Sequence, residues 1–269
     1  MNSIKICLAG ADGRMGRQVA QEAARRGDDV VGAISAVSSP NIGRTLRSSG
    51  IAPFDAPIEP PSELARLLSG CDVLISFATP EADVDNIPVA AATRRPIVSG
   101  TTGFTEGQME AVCEAVAGKS CAVISPNFSI GMNYIFSLMN TLDKLPVGYD
   151  VSIVETHHTG KKDSPSGTAK TIAEIVKKAR GCSNVVTERK DARKPDELEV
   201  FSVRAGGIPG IHEIIIAGEN EFIRIEHTAF SRAVFAQGAL FAARWAVVEQ
   251  SRGRTGIFSM KDVLDSGRH

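Results

Sequence analysis

The stretch IKICLAGADGRMG, Ile4 to Gly16, decides the fold. Its first half is apolar apart from one lysine, the composition of a short buried strand. Its second half is a turn, Gly10-Ala-Asp-Gly13-Arg-Met-Gly16, and the small and apolar positions beyond it (Val19, Ala20, Ala23, Ala24) recur at helical spacing from Met15 to Arg26. A second apolar run, Asp29 to Ser35, reads as the next strand, so the chain opens on a β-turn-α-β unit. A glycine turn in that context aims backbone N–H groups at the start of a helix towards an anion, and Arg14 adds positive charge there. The spacing is G-x-x-G-x-x-G, with Asp12 where the stricter G-x-G-x-x-G fingerprint has its second glycine. A dinucleotide pyrophosphate is the anion such a unit takes; a plain tight turn is the alternative.

The same alternation continues outward from that unit. Residues 62–70 are helical in pattern, 72–78 a strand, 84–94 helical, 96–100 a strand, 105–117 helical and 121–126 a strand. Strands alternating with helices predict an α/β domain, a Rossmann-like doubly wound parallel sheet with helices on both faces. After Pro126 the rhythm changes. One amphipathic helix is expected over Asn133 to Leu145, a strand over Tyr149 to Thr156, and a helix over Thr168 to Lys178. A charged segment containing Pro195 precedes strands at 199–205, 212–218 and 221–229, and a last helix runs from Ala233 to Gln250 before GIFSMKDVLD. Strands in succession imply a second, α+β domain with a mixed or antiparallel sheet.

Composition narrows the function classes. Lys plus Arg number 30 against 31 Asp plus Glu, a net charge of -1 that supplies no electrostatic footprint for nucleic acid or a membrane surface. The five cysteines are scattered with no C-x-x-C pair, so neither a disulfide framework nor a zinc ribbon is expected. The first residues show no secretory pattern, and the cytoplasm is the expected compartment.

At the ribose end, the acid that commonly follows the second strand is missing: Ser35-Ala36-Val37 stands there. Ser35, Ser38, Ser39 and Arg44 offer groups for a 2′-phosphate, which tilts the expectation towards NADP; an ordinary polar loop explains them nearly as well.

The second concentration of chemistry is ETHHTGKKDSPSGTAK, Glu155 to Lys170. A metal site would need more ligands than His212 and His227 can add, and a P-loop would need glycine directly before lysine, which Gly167-Thr-Ala-Lys170 lacks. Ser166-Gly167-Thr168 opens a helix and offers hydroxyls and backbone N–H groups to an anion. Lys161 and His158 bring positive charge, and His157 is left as a group that moves a proton near neutral pH. The loop reads as a site for a carboxylate substrate undergoing protonation, against the bland reading of a solvated polar loop.

Across nearly its whole length the chain resembles the 4-hydroxy-tetrahydrodipicolinate (dihydrodipicolinate) reductase family. The resemblance rests on GADGRMG, SFATP at Ser76 to Pro80, GTTGF at Gly100 to Phe104, PNFSIGMN at Pro126 to Asn133, the histidine loop, VRAGGIPGIHE at Val203 to Glu213, and MKDVLD. It implies an NADPH- or NADH-dependent reductase of the diaminopimelate and lysine pathway, acting on a small dicarboxylate. Gly10, Gly13, Arg14, Met15 and Gly16 would line the cofactor phosphates. Gly100, Thr101 and Thr102, with Ser125, Pro126, Asn127 and Phe128, would meet the nicotinamide half. His157 would give or take a proton, Lys161 would donate one, and His158, Ser166, Gly167 and Thr168 would hold the substrate carboxylates. It also implies a homotetramer, and domains at 1–128 plus 236–269 around an insert at 129–235. Two rivals share part of the pattern: a semialdehyde- or homoserine-type dehydrogenase, which lacks the histidine loop, and a non-catalytic NADP sensor, which has no need of His157 and Lys161.

Overall fold

Strand β1 (Lys5–Ala9) sends Ile6 and Leu8 to one side and Cys7 and Ala9 to the other, and all four are fully buried. A strand apolar on both sides belongs inside a parallel sheet covered by two helical layers. The computed structural model, which describes residues 3–266, has that arrangement. The chain divides into two units, Met1–Ile130 with Ala233–His269, and Gly131–Arg232.

In the first unit β1 pairs with β2 (Asp29–Ile34) and β4 (Val73–Ser76), flanked by β3 (Ile58–Glu59), β5 (Ile97–Ser99), β6 (Cys121–Ile124) and β12 (Gly256–Phe258). The order β12-β6-β5-β4-β1-β2-β3 is parallel throughout. One face packs on Val19, Ala20 and Ala23 of α1 (Arg14–Arg26), Leu240 and Trp245 of α7 (Ala233–Ser251) and Val263 of α8 (Met260–Asp265). The other packs on Leu67 and Leu68 of α2 (Leu64–Leu68), Ile87 and Ala90 of α3 (Pro80–Ala92), and Val112 and Val116 of α4 (Glu106–Val116). Each fully buried Leu, Ile or Val contributes roughly 1.5–3 kcal/mol, so these layers hold the sheet. Thr79 caps α3 and Pro80 takes its first turn, which starts that helix four residues before the expected Val84.

The second unit contains α5 (Ile130–Met139), β7 (Asp150–His157), α6 (Gly167–Arg180), β8 (Asn184–Val186), β9 (Glu197–Arg204), β10 (Ile211–Ala217) and β11 (Phe222–Thr228). Its sheet runs β11-β10-β7-β9-β8, with β10 antiparallel to both neighbours and β7, β9 and β8 mutually parallel. The mixed sheet of the α+β expectation is therefore present. One face, including Val151, Ile153, Val200 and Ile214, packs on Met132 and Met139 of α5 and Ile172 and Val176 of α6. On the other face Val154, Phe201 and Ile215 are half-buried, and Phe222 is 62% exposed.

The expected helix over Asn133 to Leu145 ends early, at Met139, and a single 3-10 turn follows at Leu142–Lys144. The Asn140 amide donates to the Phe136 carbonyl (2.9 Å) and the Thr141 hydroxyl to Leu138 (2.7 Å), while Arg180 donates to the carbonyls of Leu142 and Leu145. Those side chains satisfy carbonyls that another helical turn would have used.

Candidate active site

The glycine turn lies at the carboxyl end of β1. Gly10 has φ +72, and a Cβ there would stand 2.4 Å from the Phe77 carbonyl oxygen. Gly16 is tighter: a Cβ would meet the Gly10 carbonyl oxygen at 2.1 Å. Gly13 is the N-cap of α1 and offers no capping side chain, so the first-turn N–H groups keep their capacity for an anion. Arg14 is exposed beside them, and Met15 is half-buried. A turn that admits no Cβ at Gly10 or Gly16 and opens a helix N-terminus fits a dinucleotide pyrophosphate.

The remaining cofactor candidates emerge from neighbouring strands at the same sheet edge. Gly100 follows β5, where a Cβ would stand 2.1 Å from the Phe77 ring, so this glycine is needed for that ring to pack. Thr101 is buried, accepts from Ala78 N–H (3.2 Å) and donates to Asp83 (2.7 Å), whereas Thr102 is exposed. After β6, the Ser125 hydroxyl donates to the Asn127 carbonyl (2.8 Å), Pro126 is exposed, and Phe128 is buried with its ring edge-on to Phe77. Ligands of doubly wound sheets bind at this carboxyl edge, where strand order reverses; here the reversal falls between β1 and β4.

Two carboxylates organise this edge, and sequence reading did not give either a role. Asp83 is wholly buried and accepts from the hydroxyls of Ser76 (2.5 Å), Ser99 (2.7 Å) and Thr101 (2.7 Å), tying the ends of β4 and β5 to the GTTGF loop. Asp12 accepts from the Ser39 hydroxyl, and Ser39, Ser35 and Asn41 hold its pKa below the usual carboxylate value against the upward push of burial. A carboxylate thus does stand beside the segment after β2, contributed by the glycine turn and not by that segment. Ser35 is buried and Arg44 donates to the Ser48 carbonyl (2.7 Å), so of the expected 2′-phosphate groups only Ser38 is both exposed and on the near part of that segment.

In the second unit β7 delivers the histidine pair, and strand alternation separates its members. His157 points inward with Glu155 and is 8% exposed; His158 is half-exposed where the strand ends. The ladder registers align Ser202, Glu155, His212 and His227 in one row across four strands, with Arg204 opposite His157 in the row beside it. Glu155 has no exposure at all. It accepts from Arg204 through two bonds (2.8 and 3.0 Å), from Ser166 N–H (3.1 Å), and contacts His157 Nδ1. Burial alone would raise the Glu155 pKa; Arg204, Ser202, His157 and the Ser166 amide outweigh it and bring it to about 2.

His157 is shifted below the ordinary histidine value by burial, assisted by the Lys161 and Arg204 charges, with Glu155 opposing. His212 packs edge-on against it, ring centroids 5.2 Å apart, and burial first and the His157 charge second take His212 down to about 3. Ser166 caps α6 by accepting from Ala169 N–H (3.2 Å) and its hydroxyl also meets His212 Nε2 (3.2 Å). Gly167 and Thr168 form the first turn, exposed and half-exposed respectively. Lys161 Nζ pairs with Asp163 (2.8 Å), and Arg204 also donates to the Asp163 carbonyl (2.7 Å), pinning the loop to β9. One buried carboxylate–guanidinium pair, Glu155 with Arg204, thus holds His157, the Ser166 amide and the Asp163 carbonyl of the loop. The signal for it was present in the sequence: an acid two residues before a histidine on a strand's buried face demands a partner.

Residues 4–128 match the family model for the dihydrodipicolinate reductase N-terminus and residues 131–264 that for its C-terminus. The chain belongs to the dihydrodipicolinate reductase family. It is 38% identical to the 4-hydroxy-tetrahydrodipicolinate reductase of Methanopyrus kandleri, covering 98% of each chain. Against the enzyme of the same name from Trichlorobacter lovleyi it is 37% identical, covering 97% of this chain and 98% of that one. In fold it is similar to a dipicolinate-bound dihydrodipicolinate reductase from Paenisporosarcina, with TM-score 0.74, 21% identity, and coverage of 98% and 100%. An engineered D-amino acid dehydrogenase bound to NADP+ shares the fold more distantly, with TM-score 0.59 and 16% identity over 98% and 95% of the chains. Like other dihydrodipicolinate reductases, this chain is a nicotinamide-dependent oxidoreductase using NADH or NADPH. Among the described residues no helix is long and apolar enough to cross a membrane, and no cluster of His, Cys, Asp or Glu is suited to a metal ion.

Proposed function

We propose that this chain reduces 4-hydroxy-tetrahydrodipicolinate to tetrahydrodipicolinate through the loop that follows β7. The observation that carries this reading is the joining of a buried, proton-mobile His157 to the capped start of α6 through a single carboxylate, Glu155. A ring bearing two carboxylates needs anion contacts on a rigid frame and a proton source beside them. Thr168, the Gly167 amide and His158 hold the carboxylates, with the α6 dipole favouring negative charge at that end. Ser166 supports them from below as the cap, its hydroxyl already engaged with Ala169 and His212. Lys161 leaves its pairing with Asp163 to orient the dianion and donate a proton, and His157 gives or takes the second proton. Bound NADH or NADPH would supply the hydride, and the substrate's 4-hydroxyl leaves as water, so the overall reaction consumes one hydride and one proton. In the first unit Gly10, Gly13, Arg14, Met15 and Gly16 receive the pyrophosphate, and Gly100 to Thr102 with Ser125 to Phe128 shape the nicotinamide side.

The partly apolar outer face of the mixed sheet, with Val154, Phe201, Ile215 and Phe222, supports assembly of several copies through that face, a homotetramer in this reading. A biosynthetic reductase of this family works in the cytoplasm.

The test is turnover of reduced nicotinamide with the product of the preceding synthase reaction as substrate. Lys161→Ala should lower kcat/KM by roughly 10²–10⁴-fold, the range for a lost general acid, and Lys162→Ala by far less. Turnover with an aldehyde and none with the dicarboxylate, or equal losses in the two lysine variants, overturns the assignment.

A further inference from the structure

We infer that Glu155 is a positioning residue that fixes His157 as its Nδ1–H tautomer and so makes Nε2 the atom that exchanges a proton with substrate. The inference rests on the proposed role of His157 and adds the atom, the tautomer and the group that sets them.

What Glu155 can accept is limited by the donors around it. Its two oxygens take two bonds from Arg204 and one from the Ser166 amide, all from donors that cannot reverse. A carboxylate so surrounded stays ionised, and an ionised carboxylate only accepts. The ring nitrogen that touches it, Nδ1 of His157, therefore has to carry hydrogen. In the neutral ring Nε2 is then the bare nitrogen that accepts a proton. In the cationic ring it is the N–H that gives one up, leaving Nδ1–H still held by Glu155. Proton count balances in both directions, and the ring need not turn over between them.

The surroundings of Nε2 agree with this assignment. A Cβ at position 210 would stand 3.1 Å from it, so Gly210 leaves that nitrogen room. The groups facing the ring are Glu155 on its own strand, Arg204 on β9, His212 on β10 and Lys161 in the following loop. Only Glu155 is an acceptor of the right charge. Arg204 is paired to it, His212 is neutral above about pH 3, and Lys161 is cationic and tied to Asp163. The arrangement parallels the general pattern in which a carboxylate behind a histidine sets its tautomer.

The deciding measurement is the ¹⁵N signature of the His157 ring in the unmodified protein near neutral pH, assigned by its loss in His157→Asn. Protonated Nδ1 with bare Nε2 is expected; a dominant Nε2–H form overturns the inference. Glu155→Gln presents an amide that donates to Nδ1, so the tautomer should flip, kcat should fall about 10²-fold or more, and substrate KM should move less. The pH limb set by His157 should also shift to lower pH by about one unit or more, because a neighbouring carboxylate raises a histidine pKa. Glu155→Asp, which keeps the charge, should retain the native tautomer. Unchanged tautomer and pH profile in Glu155→Gln also refute the idea. If the unmodified protein fails to reduce the substrate, the reaction assignment falls, while the ring signature still decides the tautomer.

Discussion

Lowering the pH from 7 to 5 should destabilise the second unit through His212, a residue the chemistry does not call on. His212 is 5% exposed, and its folded pKa of about 3 lies well below the ordinary 6.5. The imidazole is therefore neutral when folded and protonated when unfolded at any pH between those two values. The unfolded chain binds more protons in that window, so stability declines as pH falls from about 6.5 towards 3. At pH 5 the gap spans about 1.5 units, which at 1.36 kcal/mol per unit is about 2 kcal/mol from this one side chain. That is a large share of the 5–15 kcal/mol typical of a folded protein. The aromatic residues allow a local readout: Tyr134 and Tyr149 are the only tyrosines and lie in the second unit, and Trp245, the only tryptophan, lies in the first. Urea unfolding followed by tyrosine near-ultraviolet circular dichroism at the two pH values, in the native chain and in His212→Gln, isolates the effect. The native chain should lose about 2 kcal/mol more than the variant between the two pH values. Equal losses would show that His212 titrates alike folded and unfolded, and the reasoning fails.

Two further outcomes are expected in the first unit. Asp83→Ala strands three buried hydroxyls and should cost about 3 kcal/mol, roughly one per lost acceptor, seen as an earlier Trp245 fluorescence transition in urea; a change under about 1 kcal/mol contradicts the hub. Asp12→Asn removes an ionised group beside the segment after β2 and should raise NADPH affinity relative to NADH about tenfold in paired titrations, a 1.4 kcal/mol effect. An unchanged ratio places the 2′ group elsewhere.

Much of this was legible in the residues because it is local. The β-turn-α-β opening and the apolar strands announce themselves through period and glycine spacing, and β1 to β6 other than β3 fall where pattern predicts. What escaped depends on partners far along the chain. β3, β8 and β12 are two- or three-residue strands with no periodicity of their own, and they exist because a neighbour offers a ladder edge. β8 borders a charged segment whose Arg189 is held by Glu197 and Glu199 on β9, a pairing no hydropathy pattern reveals. The histidine loop was recognised for its chemistry, but the two carboxylates that order the two sites, Asp83 and Glu155, are set by strand register. Glu155 finds Arg204 at a separation of 49 residues, and only the ladder between β7 and β9 brings them together.

Helix α7 returns to the first unit after the second has been traversed, and Gly238 is pressed so close to Phe128 that a Cβ would overlap its carbonyl oxygen at 1.7 Å. The order of synthesis then matters. The residues of the second unit all leave the ribosome before α7 does, so that unit has its complete sequence while the first sheet still lacks the helix that covers β4, β5 and β6 on that face. A nascent chain stopped near Arg232 carries an exposed apolar sheet face. It is at that length that a chaperone has the most to bind.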